Sequence, residues 1–138
     1  MSTTTNKSEP SELEATLAGF YGSENYYQHG LMRSLYMTDG VHYLAEAAGA
    51  HWLTDIVASY QSYPHMRREP FQVWTFKRLP EGSKNMAVVR CDDGNGKGLR
   101  QQLIPYTDFP LDEITLYLEE GSVDGRTVAR ILMLPGER

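Results

Sequence analysis

The spacing of apolar residues changes character once along this chain, at Tyr63-Pro64, and that change constrains the fold more than any other feature. Before it, apolar residues recur at helical intervals; after it, they alternate. Leu13, Leu17 and Phe20 follow i, i+4, i+7, with Ser11, Glu12 and Glu14 placed as at a helix start, which predicts a short helix over residues 11–20. A longer helical signal runs from Val41 to Tyr60, with Thr38 or Asp39 as its N-cap. Its two apolar stripes, Val41/Leu44/Ala45/Ala48 and Trp52/Leu53/Ile56/Val57/Tyr60, do not line up. In one straight helix Asp55 would fall inside the first stripe, where burying a carboxylate is costly. A break at Gly49 removes the conflict and predicts two helices, 39–48 and 50–61.

Downstream, residues 71–76, 86–91, 99–104 and 113–118 read as strands, and 126–134 supply a fifth. The connections 79–85 and 92–98 are too short for parallel crossovers, so these strands form hairpins. Residues 31–37 fit strand or helix equally well. Helices first and strands afterwards define an α+β fold, with N-terminal helices packed on one face of a four- to five-stranded, mainly antiparallel sheet. A length of 138 residues suits one such domain, 11–138, after a flexible Ser/Thr/Asn-rich segment, 1–10.

The single cysteine, Cys91, excludes an intramolecular disulfide framework and fits a reducing compartment. No apolar run approaches the ~20 residues of a membrane span, and the polar start lacks a secretory h-region. The expected location is the cytoplasm. The net charge of −5 is segregated: two Lys+Arg against seven Asp+Glu in residues 1–63, eight against four in 64–100, three against seven in 101–138. The middle block, with Arg67, Arg68, Lys77, Arg78, Lys84, Arg90, Lys97 and Arg100, would attract phosphate or an acidic protein if gathered on one face. With a pI near 5.3 and no nucleic-acid-binding motif, nucleic acid ranks behind protein as the expected partner.

Reaction chemistry finds little footing. The run Asp92-Asp93-Gly94-Asn95-Gly96-Lys97-Gly98 has neither the ligand spacing of a calcium loop nor the Gly-Lys-Ser/Thr of a phosphate loop, and reads as a hairpin turn. Beside Asp92 and Asp93, Cys91 is a poor thiolate, and no Gly-x-Ser-x-Gly elbow exists. His42/Glu46 and His51/Asp55 stand at i, i+4, so a metal-dependent enzyme built on those four residues is the alternative reading. No catalytic residues and no cofactor are expected. Tyrosine is more informative: Tyr21, Tyr26, Tyr27, Tyr63 and Tyr106 fall in predicted loops, and tyrosine is enriched at recognition surfaces. Tyr26, Tyr27 and His29 of segment 21–30, with Arg67 and Arg68, form the expected partner-contact set.

Thr38-Asp39-Gly40-Val41, Tyr43-Leu44-Ala45-Glu46, Gly49-Ala50, Trp52-Leu53, Asp55-Ile56, Phe71-Gln72-Val73-Trp74 and Tyr106-Thr107-Asp108-Phe109-Pro110-Leu111 together resemble an uncharacterised bacterial domain family of plasmids, prophages and other mobile elements. That resemblance carries no catalytic residues. It implies an accessory or host-modulating role, such as an anti-CRISPR-like inhibitor of a defence enzyme. The expected function is therefore non-enzymatic protein binding.

Overall fold

The computed structural model describes residues 10–80 and 85–138, so the expected flexibility of 1–10, the charge of Lys84 and much of the 79–85 connection lie outside the described residues. The first helix, α1 (Pro10–Leu17), opens with proline, whose missing N–H costs nothing in a first turn, and buries Leu13. A three-residue strand, β1 (Tyr26–Gln28), then pairs antiparallel with β2 (Leu35–Thr38). Two consecutive helices follow, α2 (Asp39–Ala47) and α3 (His51–Tyr60).

The break between them lies where the two stripes required it. Gly49 has φ +61°, in the left-handed region that glycine enters without a Cβ penalty. The Ala50 N–H donates to the Ala45 carbonyl at 2.9 Å, the 6→1 bond that closes a helix C-terminus of this kind. Both stripes thereby reach the same core: Val41 and Leu44 from α2, Leu53 and Val57 from α3. A single turn, α4 (Pro64–Arg67), buries Met66 and leads into the sheet.

Five strands complete the chain: β3 (Phe71–Arg78), β4 (Ala87–Asp92), β5 (Gly98–Ile104), β6 (Glu113–Ser122) and β7 (Val128–Met133). Their order with the first two is β1-β2-β7-β6-β3-β4-β5. The expectation of four to five strands is therefore corrected to a sheet of seven. It is also mixed, because β2 runs parallel to β7, with Leu35, Tyr36 and Met37 opposite Arg130, Ile131 and Leu132. Alternation along β3 places Gln72, Trp74 and Phe76 on the helix side, level with Leu116, Leu118, Val89 and Cys91 of the neighbouring strands. Phe76 and Phe109 rings stand 4.7 Å apart, and Trp52 of α3 meets each of them edge-on at 6.0 Å. The opposite face carries Phe71, Val73 and Tyr117, over which the Arg138 guanidinium lies, 4.4 Å from the Phe71 ring.

The last described residues are fastened to the N-terminus of α2. The Thr38 hydroxyl accepts from Val41 N–H, as an N-cap does, and donates to Glu137 Oε1 at 2.5 Å. Glu137 Oε2 accepts from the Gly40 N–H at 2.9 Å, and Oε1 from the Leu134 N–H at 2.9 Å. A Cβ at residue 40 would lie 2.6 Å from both Glu137 and Leu134, so any larger residue would displace the carboxylate from the helix start. A negative charge against the exposed amides of a helix start is stabilising. Replacing Glu137 with Ala should therefore lower unfolding stability by about 1–2 kcal/mol, as loss of a side-chain cap does, measured by urea denaturation. Gly49→Ala, which forces a Cβ into the left-handed region, should cost about 1–2 kcal/mol in the same assay.

Candidate functional site

A cluster of aromatic and cationic side chains occupies the corner where α3 turns into α4. Tyr60 ends α3 and Tyr63 precedes Pro64, so both rings face β5, where Arg100 rises from the edge strand. The Arg100 guanidinium carbon lies 4.6 Å from the Tyr63 ring centre and 5.5 Å from that of Tyr60. The two rings stand at 90° with centres 5.7 Å apart, so the guanidinium occupies the angle between them. The Tyr60 hydroxyl is fixed by donation to Gln102 Oε1 at 2.9 Å. Tyr63 remains 41% exposed, with the His65 ring 6.0 Å away. Arg67 donates from Nη1 to the Ser62 carbonyl at 2.6 Å, which places its charge beside Tyr63.

This corner rests on a buried amide lattice. Gln72, with no exposed surface, exchanges hydrogen bonds with Gln61 at 2.9 and 3.1 Å and accepts one from Trp74 Nε1 at 3.0 Å. Its amide nitrogen also donates to the carbonyls of Met66 and Glu69. From β7, Arg130 donates to Gln61 Oε1 and to the carbonyls of Arg67 and Glu69. Burial pulls the Arg130 pKa below the usual guanidinium range; Glu120 opposes this, and the charge of Arg67 adds to it. Arg78, Arg130 and Arg138 are each paired with a carboxylate. Among the described residues no carboxylate pairs with Arg67, Arg68 or Arg100.

The residues singled out from sequence are distributed differently. Tyr26 is 40% exposed on β1, one edge of the sheet, whereas Arg100 lies on β5, the other. Six strand spacings separate the two edges, about 29 Å. The Tyr27 hydroxyl donates to Asp39 at 3.2 Å and its ring stacks on His42 at 3.8 Å, so this tyrosine braces α2. His29, expected at a contact surface, is only 5% exposed. Its Nδ1 accepts from the N–H groups of Leu31 and Met32, and its Nε2 faces Asp55 at 2.8 Å. With Nδ1 accepting, the proton sits on Nε2 and is donated to Asp55. Ser59 and Ser62 share the adjoining cavity of about 150 Å³, but neither ring nitrogen is left to take a hydroxyl proton.

The basic block is divided too. Lys77 and Arg78 end β3, while Arg67 and Arg68 precede its start, and the strand between spans about 23 Å. His51 pairs with Glu46 at 3.1 Å across the Gly49 bend, Asp55 pairs with His29, and His42 stacks on Tyr27. His42, Glu46, His51 and Asp55 are thus not brought together. Among the described residues no group of three His, Cys, Asp or Glu is placed to hold a metal ion. Cys91 is buried, and burial first, then Asp92, Glu69 and Asp93, push its thiol far above the usual range. The 92–98 segment is a hairpin turn: Gly94 and Gly96 have positive φ, and Asp93 Oδ1 accepts from the N–H groups of Asn95 and Lys97.

Reasoning from sequence named Tyr63 and Arg100 separately but not their meeting, nor the part of Tyr60 in it. The available signal was the pair Tyr60 and Tyr63, three residues apart at a helix end and so able to flank one ligand. Among the described residues no helix is long and apolar enough to cross a membrane. A family model described as "Family of unknown function (DUF6876)" matches residues 11–138. No curated protein and no solved structure matches the chain.

Three aspartates serve local structure and set an acid limit. Backbone donation from Glu24, then the Asn25 side chain and the Tyr27 hydroxyl, hold the Asp39 carboxyl below its usual range. Donation from Asn95 and Lys97 does so for Asp93, and from Thr127 and Arg126 for Asp124. Groups depressed on folding stabilise the fold above the unfolded carboxylate pKa of about 4, and that contribution is lost as pH falls through the lower folded values. Urea midpoints should therefore fall on acidification below about pH 4, and Asp39→Asn should shrink that dependence. A midpoint of the Asn variant that tracks the parent at every pH would remove Asp39 from this account.

Proposed function

The chain belongs to the DUF6876 family of unknown function, and we propose that it acts as a non-enzymatic binding module whose α3–α4 corner engages an acidic surface of a protein partner. The observation that carries this reading is Arg100 stacked, without a carboxylate partner, on a half-exposed tyrosine, with the exposed Arg67 and Arg68 in the turn that follows, in a chain whose net charge is −5. An acidic protein has carboxylates to spare for neutralising its own cations, and Arg78, Arg130 and Arg138 use them. Among the described residues Arg67, Arg68 and Arg100 do not, and neither do Arg33, Arg90 and Arg126; what sets the corner apart is that Arg100 is stacked between two tyrosine rings, one of them half-exposed. Tyr and Arg are also the side chains that concentrate binding energy at protein interfaces. The mechanism is occlusion or bridging, with no bond made or broken. His29, whose two ring nitrogens are already engaged, and Cys91, held as a thiol, offer no nucleophile or base for chemistry.

In the mobile-element setting that the sequence resemblance implies, a module of this kind would serve as an inhibitor that covers a functional face of a host defence protein. Tyr26 stands on the far edge of the sheet and takes no part in this reading, and Tyr27 enters it only as a brace for α2.

Immobilised protein, incubated with lysate of the organism that encodes it, should retain a partner that Arg67→Glu/Arg68→Glu loses. The melting temperature of the variant should stay within about 2 °C of the parent, because both side chains are exposed. Retention of the same partner by parent and variant alike would remove this corner from the interface.

A further inference from the structure

Arg100 differs from the arginines that hold the fold together. Arg78 spends its guanidinium on the carbonyls of Phe109 and Leu111 and on Asp112, and Arg130 spends its own on three acceptors besides Glu120. Among the described residues nothing hydrogen-bonds to the Arg100 side chain, and its Nε is the one buried side-chain nitrogen or oxygen left without a partner. Unpaired buried polar atoms are uncommon enough that each needs a reason. The side chain is nonetheless held in place, with its flat guanidinium between two perpendicular tyrosine rings and one ring pinned by Gln102. A guanidinium immobilised without spending its donors loses little further freedom when it binds.

We propose that Arg100 is the receptor for a carboxylate side chain presented by an acidic segment of a protein partner, a proposal that rests on the corner reading above and names the group it recognises. The planar fork of Arg100 takes a carboxylate by two parallel N–H···O bonds, each about 2.7–2.9 Å long. Tyr63, half-exposed, covers the flank of the arriving chain, and Arg67, exposed and held to the Ser62 carbonyl, adds a second positive charge. The surroundings favour a short acidic segment over an extended polyanion. Asp92 and Asp93 stand in the hairpin that leads into β5, and Glu69 follows α4, so a long phosphate backbone laid across the corner meets like charge on both sides.

The test uses the full chain and calorimetric titration with a hexaglutamate peptide, a hexaglutamine peptide and a single-stranded oligonucleotide. Hexaglutamate should bind saturably and more weakly as salt rises, and hexaglutamine should not bind. Arg100→Lys keeps the charge and removes the fork, and should weaken hexaglutamate at least about tenfold. Tyr63→Phe keeps the ring and should stay within about twofold of the parent. Melting temperatures confirm that each variant is folded. Equal affinity of Arg100→Lys and parent overturns the proposal. Tighter binding of the oligonucleotide than of hexaglutamate overturns it in favour of nucleic acid. If Arg67→Gln/Arg68→Gln abolishes binding while Arg100→Lys leaves it intact, the corner reading survives and the role of Arg100 does not. No saturable binding of hexaglutamate at millimolar concentration overturns both.

Discussion

The Glu137 carboxylate against the N-terminus of α2 is the contact on which the rest of the architecture depends. A helix start exposes N–H groups that have no partner of their own, and here the second and third residues of α2 sit against strands and cannot reach water freely, since Gly40 and Val41 are both buried. Thr38 satisfies one of these groups, and a carboxylate from almost 100 residues later satisfies another. The parallel ladder between β2 and β7, just before Glu137 in the chain, places the last strand between the first hairpin and the main sheet. Without it, β1 and β2 would be a two-stranded ribbon too small to stand alone.

Much of this fold was legible in the sequence because local rules and tertiary demands agree there. The bend at Gly49 follows from two stripes that cannot share one helix, and a left-handed glycine supplies it. The strands β3 to β6 carry alternation strong enough to locate, and the short connections fix the β3–β4 and β4–β5 pairings as antiparallel, whereas β6 passes β5 to pair with β3. β1 and β2 were not legible. Three residues are too few to show a period, and Tyr-Tyr-Gln gives no hydrophobic face. Parallel pairing of β2 with β7 depends on a partner some 95 residues away, and nothing local announces it.

The candidate site was legible only in its residue types. Loop tyrosines and a basic block were the sequence's pointers to recognition; Tyr63 stands in a turn, but Tyr26 and Tyr27 lie on β1 and the basic block is divided. Which tyrosine meets which arginine is decided by the turn at Tyr63-Pro64 and by the register of β5, neither of which spacing along the chain reveals. His29 illustrates the same gap from the other side. A histidine in a polar segment looks available, yet two backbone N–H groups and one aspartate consume both of its ring nitrogens. The division of the basic block has an equally simple cause, because a strand eight residues long carries its ends far apart.

The joining of β2 to β7 has a consequence for how the polypeptide matures. A ribosome delivers the residues of α1, β1, β2 and both long helices well before it delivers β7 and Glu137. During that interval Leu35 and Met37 have no neighbouring strand on the side that β7 will fill, and the start of α2 has no counter-charge. The nascent chain is therefore exposed to wrong pairing or to chaperone capture until β7 and Glu137 have been made, and native topology waits on those last residues rather than keeping step with the earlier elements.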